Sequence, residues 1–257
     1  MTQEELLLQR VLERPDDDAP RLAYAGYLDQ RGDPRGEFVH VQVELARLDM
    51  DRDPNYVPLA ERSYAMIDGY GPAFAGQIAG MVDEYSFDRG FVELVKLPAR
   101  RFLEIATQLF ALAPIRHLDL AGPRKLIPEL FSSPHLQAIR SLNIRHWMLT
   151  DEDMKVIAAS PHIKQLRWLS IADNLVRLPG AEALAASRNL PSLKYVVFSG
   201  NPVDPSEKHA DDQGIIINSW MEEEGVLLEE KHGRISWLHA DPPPRTLSDV
   251  PPNRFIV

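Results

Sequence analysis

Between Val92 and Asn201 the chain repeats one pattern of apolar and variable positions: apolar, two variable, apolar, one variable, apolar. The copies are Val92/Val95/Leu97, Ile115/Leu118/Leu120, Ile139/Leu142/Ile144, Leu166/Leu169/Ile171 and Leu193/Val196/Phe198. Their starts lie 23, 24, 27 and 27 residues apart. The alternation that ends each copy is that of a short strand with one buried face. Between copies the apolar spacing turns helical. In the third, Thr150 and Asp153 form a capping-box pattern ahead of Met154, Ile157 and Ala158, and Ser160-Pro161 ends the helix. Pro179-Gly180 opens the next helix, and Phe102–Leu112 is the return of the first copy. Strand and helix recurring at this period predict an α/β solenoid, with parallel strands on a concave face and helices on the convex one.

The segments on either side differ. Residues 2–48 carry three helical stripes. Pro15 stops the first. Asp16-Asp17-Asp18 caps the second, Gly32 ends it, and Asp33-Pro34 opens the third. Residues 57–68 and 72–81 predict two further helices, broken at Gly69-Tyr70-Gly71-Pro72. Strand chemistry begins around Phe87. Beyond Asn201 the pattern ceases: Gly214–Ile217 suits a last irregular strand, Trp220–Lys231 a helix and Ile235–Leu238 an apolar plug, before a Pro-rich tail. The predicted organisation is a helical N-terminal cap over 1–85, a repeat region over 86–203, and a C-terminal cap and tail over 204–257.

Charge follows these divisions. The net is −9 over 1–85, +5 over 86–203 and −6 over 204–257, within a total of −10. A basic middle points to an acidic partner, although a solvated surface with chance asymmetry is the cheaper explanation. With no cysteine there is no disulfide, thiol nucleophile or Cys-ligated metal. No apolar run is long enough to span a membrane, and the acidic start is unlike a signal peptide, so a cytoplasmic location is expected.

The copies resemble leucine-rich repeats of the ribonuclease-inhibitor type, whose consensus is LxxLxLxxN. Asn174 and Asn201 match its terminal asparagine; Arg100, Pro123 and Trp147 depart from it. The resemblance implies an incomplete asparagine ladder and irregular early turns. A second likeness covers Asp18–Val39. The run through Arg31-Gly32-Asp33-Pro34-Arg35-Gly36-Glu37-Phe38 resembles the bacterial repeat-companion domain of myxobacteria and planctomycetes, whose usual core reads YADWLEERGDPRGEF. Gly26, Tyr27 and Gln30 differ from that core. This likeness implies a bacterial source and a helical cap, and no activity.

Residues between the inward apolar positions face the concave side. One row is Lys96, Asp119, Asn143, Ser170 and Val197. The flanking rows are Leu94, His117, Ser141, Trp168, Tyr195 and Pro98, Ala121, Arg145, Ala172, Ser199. Trp168 beside Tyr195, with Arg145 near, has the composition of an interface hot spot. His117, Asp119, Asn143, Ser170 and Lys96 would set specificity. The bland alternative makes Trp168 a packing residue.

Catalytic and cofactor patterns are missing: there is no HExxH, G-x-S-x-G or phosphate-binding glycine loop, and no nucleophile–base pair can be assembled from sequence. No catalytic residue, metal site or cofactor is expected. The leading expectation is a non-enzymatic module binding another protein through its concave face. Regulation of an enzyme, as an inhibitor, immunity protein or GTPase regulator, is the alternative by analogy of fold. RNA binding ranks lower, because the whole chain is acidic.

Overall fold

The computed structural model describes residues 1–50, 52–203 and 222–238. The chain divides into two units. Of the described residues, the first holds Met1–Val95 and Thr107–Ile115, and the second holds Lys96–Ala106 and those from Arg116 onward. One six-stranded sheet has its strands in sequence order, β1 to β6.

In the first unit, α1 (Gln3–Glu13), α2 (Asp18–Asp29) and α3 (Pro34–Leu45) begin where side chains replace lost backbone partners. Thr2 and Glu5 form a capping box, Asp17 accepts from Ala19 N, and Asp33 accepts from Arg35 N with Pro34 in the first turn. Leu7, Val11, Tyr24, Ala25, Leu28, Val39, Val43 and Phe91 pack into one core. The helices α2 and α3 meet at Gly36, where a Cβ would lie 2.9 Å from the Ala25 carbonyl oxygen.

Tyr56–Ala75 is a single helix, α4, with Pro72 inside it, so the break expected at Gly69–Pro72 does not occur. Packing holds the final turn in place. Phe74 stacks on Phe38 at 4.9 Å and on Tyr70 at 5.5 Å, which outweighs the backbone bond that proline removes. The change to a 3-10 turn, Gly76–Gly80, comes at Gly76, where φ is 56°.

β1 (Glu84–Asp88) and β2 (Phe91–Pro98) are joined by Arg89-Gly90, both at positive φ (47° and 84°). Two such residues in succession are the signature of the tightest hairpin turn, whose twist matches that of its strands. The turn sits directly on α3. A Cβ on Gly90 would lie 2.6 Å from the Val39 Cα, and Gly90 N donates to Gln42 Oε1 at 2.7 Å.

A buried ionic cluster surrounds this turn. Arg21, wholly buried, donates to the carbonyls of Pro15 (2.7 Å), Asp88 (3.3 Å) and Arg89 (3.2 Å) and is paired with Glu93. Arg89 donates to the carbonyls of Asp16 and Pro15 and pairs with Asp18, Asp88 and Glu93. Burial, reinforced by the neighbouring Asp88 charge, pushes the Glu93 carboxyl up to about 7 against the opposing pull of Arg21 and Arg89.

The second unit contains α5 (Ala99–Leu112) in part, then β3 (His117–Ala121), α6 (Ile127–Phe131), β4 (Ser141–Asn143), α7 (Asp151–Ala159), β5 (Trp168–Ser170), α8 (Leu178–Ala185) and β6 (Tyr195–Val197). Strands β3 to β6 are parallel and in register. Each gives its apolar pair to the core: Leu118 and Leu120, Leu142 and Ile144, Leu169 and Ile171, Val196 and Phe198 are all buried. The helix α7 starts at the Thr150–Asp153 capping box, and Ser160 and Ser187 donate to Phe131 O and Ala158 O, tying successive helix ends together. After the last strand, α9 (Glu222–His232) and a 3-10 turn at Ser236–Leu238 bury Leu228, Ile235 and Trp237. Trp237 lies 5.9 Å from the Phe198 ring, and Ser236 Oγ donates to Leu193 O. The strand expected at Gly214–Ile217 and the Pro-rich tail lie outside the described residues.

Strands this short must bend at once, and the bends bury peptide groups. Asn174 meets that need: its Nδ2 donates to the carbonyls of Ile144, Ile171 and Ala172, and its Oδ1 accepts from Trp147 N and Leu149 N at 2.9 Å. Asn201 does the same between Ile171 O, Phe198 O and Val176 N. One turn earlier, where asparagine is replaced, the indole Nε1 of Trp147 donates to Leu120 O at 2.8 Å. The ladder therefore continues through a different side chain.

Asn174→Ala strips donors and acceptors from five buried backbone groups and should lower stability by about 2–4 kcal/mol in urea denaturation; a loss below about 1 kcal/mol would mean that water replaces the amide. The Glu93 carboxyl predicts a pH dependence as well. Its folded value lies above the ordinary 4.5, so the stability from burying it neutral is present below pH 4.5 and lost as pH rises towards 7. Wild type should thus lose ground to Glu93→Gln between those values, by up to roughly 3 kcal/mol. A difference independent of pH would contradict the assignment.

Candidate protein-binding face

The register of β3 to β6 brings His117, Ser141, Trp168 and Tyr195 into one row, and Asp119, Asn143, Ser170 and Val197 into the next. Lys96 lies on β2, and Arg145 follows β4, its backbone N–H donating to Asn143 Oδ1 at 3.2 Å. These residues differ in what they offer. Lys96, Arg145, Ser170 and Tyr195 are partly exposed. His117 (2%), Asp119 (8%) and Asn143 (9%) are buried and fix the face from within.

Trp168 does not stand out as an exposed anchor. It is 5% exposed, with its ring centroid 5.4 Å from that of Tyr195 at a tilted angle. Strands about 4.8 Å apart leave an indole flanked by a neighbour on each side, here Ser141 and Tyr195. Trp168 is therefore a packing residue, and Tyr195 is the aromatic side chain of the pair that meets solvent.

The structure also assembles a pair that the sequence pattern did not reveal. His117 Nδ1 and Ser141 Oγ lie 2.6 Å apart, on adjacent strands 24 residues apart in sequence. A serine–histidine hydrogen bond is the first element of nucleophilic catalysis. Here both side chains are almost fully buried, so the bond joins β3 to β4 and presents no open nucleophile.

The Arg31–Phe38 run is used up within the first unit. Gly32 takes φ 69° to end α2, and Asp33 caps α3. Arg35 lies over the Tyr24 and Phe91 rings at 5.4 and 5.3 Å. Glu37 pairs with Arg62, and Phe38 stacks on Phe74 and meets Phe87 edge-on at 5.1 Å. Capping, ion pairing and packing account for the motif.

Among the described residues, no three His, Asp or Glu side chains gather into a group able to hold a metal ion, and no helix is long and apolar enough to cross a membrane. One column escaped the sequence reading: Arg116, Arg140, Arg167 and Lys194 occupy the position just before each strand. The signal was present one place to the left of the flanking row, in the same repeat alignment. No protein-family model matches the chain, and no curated protein matches it.

Proposed function

We propose that this is a cytoplasmic leucine-rich-repeat protein that binds another protein through the face of β3 to β6, without catalysis of its own. The observation carrying this reading is the in-register parallel face itself. Successive strands align rows of chemically mixed side chains; Arg145, Ser170 and Tyr195 reach solvent from it, and Lys96 on β2 is partly exposed as well. A rigid sheet that presents an aromatic ring, a guanidinium, an ammonium and a hydroxyl suits polypeptide recognition, because little entropy is lost on binding. The repeat spacing, the strand lengths and the bonding of Asn174 and Asn201 all favour the leucine-rich-repeat assignment. The engagement of Arg31–Phe38 in internal packing favours a scaffolding role for the helical unit.

A Tyr195→Ala/Arg145→Ala variant leaves the buried Trp168 in place and tests the face directly. With the fold verified by circular dichroism, it should lose at least tenfold in retention of a protein captured by wild type from lysate of the source cells, since an aromatic–arginine pair at an interface contributes about 2 kcal/mol or more. Equal retention by the variant would move the binding surface elsewhere.

A further inference from the structure

The six-stranded sheet ends on β1, whose one hydrogen-bonded neighbour in the sheet is β2. The two-residue turn at Arg89-Gly90 fixes the ladder between them. Asp88 and Phe91 close the hairpin as a bonded pair, and bonded residues then alternate along an antiparallel strand. Ser86 and Glu84 therefore bond to β2, while the N–H and C=O groups of Tyr85 and Phe87 point away from it. Among the described residues, those outward groups of Tyr85 and Phe87 make no backbone hydrogen bond. Both residues are partly exposed. Such an edge is a template for another strand, and proteins commonly blunt it with proline, lysine or a bulge. Glu84–Asp88 is a continuous strand without proline or lysine.

This edge is preformed. At its closed end, Gly90 N donates to Gln42 Oε1, and Arg21 donates to the carbonyls of Asp88 and Arg89. Tyr85 and Phe87 fall on one face of the strand. Their rings meet edge-on at 5.6 Å, and Phe87 meets Phe38 at 5.1 Å. An incoming strand would find there an aromatic shelf for every second side chain. The surrounding charge is negative. Residues 63–88 contain Asp68, Asp83, Glu84 and Asp88 and no Lys, Arg or His. The bounding cations are already paired, Arg62 with Glu37 and Arg89 with Asp18, Asp88 and Glu93. Asp83 and Glu84, where β1 begins, are exposed. We propose that β1 takes up an extended segment of a partner protein as an added strand, one in which apolar residues alternate with basic ones. A second copy of this chain fits less well. Pairing two β1 strands antiparallel about Ser86 would set Glu84 opposite Asp88, like charges across the strands. The proposal stands on β1 alone, whether or not the rows of β3 to β6 bind a partner.

The test is fluorescence anisotropy of the full chain at low ionic strength with a labelled octapeptide of alternating lysine and valine, beside its glutamate–valine counterpart. The informative variant is Tyr85→Pro. It removes one outward N–H and leaves the β2 ladder intact, because proline is tolerated where an edge N–H faces out. Its control, Tyr85→Ala, loses the same ring and keeps the N–H. Both are checked by circular dichroism. Should Tyr85→Pro not fold, amide hydrogen exchange of wild type decides instead, with Tyr85 and Phe87 slowed by bound peptide. The lysine–valine peptide should bind wild type and should bind Tyr85→Pro roughly tenfold or more weakly than Tyr85→Ala. Four results would overturn the proposal: no binding by folded wild type, equal affinity of the two variants, equal or tighter binding of the glutamate–valine peptide, or amide exchange at Tyr85 and Phe87 that bound peptide leaves unchanged. Sedimentation of wild type as a dimer that Tyr85→Pro separates would give the edge to a second copy and overturn it as well.

Discussion

Backbone turns are buried in both units, and a buried turn can form only if side chains replace the hydrogen bonds that its peptide groups lose to desolvation. In the first unit, Arg21 serves the carbonyls of Asp88 and Arg89, and Gln42 serves the N–H of Gly90. In the second, Asn174, Asn201 and the indole of Trp147 serve the bends after β3, β4, β5 and β6. Because these bends are satisfied locally, strands of three residues can end abruptly and still lie in register. The rows of the candidate face are a consequence of that register.

The same constraint explains the ionic cluster of the first unit. A guanidinium with no access to water needs acceptors, and the two terminal nitrogens of Arg21 find carbonyls from Pro15, Asp88 and Arg89 together with Glu93. Glu93 in turn is shared by two guanidiniums. Truncating Glu93 would remove the carboxylate paired with the wholly buried Arg21 guanidinium, which costs far more than the net worth of the pair. The cluster ties the hairpin turn to the segment Pro15–Asp16 through the two guanidiniums.

Much of this was legible in the chain. Helix starts at Asp17, Asp33 and Thr150 carry their caps in sequence, and the apolar pattern marks every strand of the parallel sheet. What stayed hidden depends on partners far away in sequence. Pro72 reads as a helix stop because the stacking of Phe74 on Phe38 is invisible locally. The role of Arg21 has no local signal, because Asp88 and Glu93 lie 67 and 72 residues on. Trp168 reads as an exposed anchor because alternation says which face a residue takes, not what its neighbours cover. The serine–histidine bond and the basic column before each strand emerge only once the register stacks positions that are 24 or 27 residues apart.

Native-state amide hydrogen exchange measures the central claim most directly. The N–H groups of Gly90, Trp147, Leu149 and Val176 lie in turns, yet each donates to a buried side-chain oxygen. They should exchange as slowly as the amides of Leu118, Leu142 and Leu169 in the sheet, opening only with the unit around them. Exchange of these four at the rates of ordinary exposed loops would show that the turns do not depend on their side-chain partners, and would contradict the account.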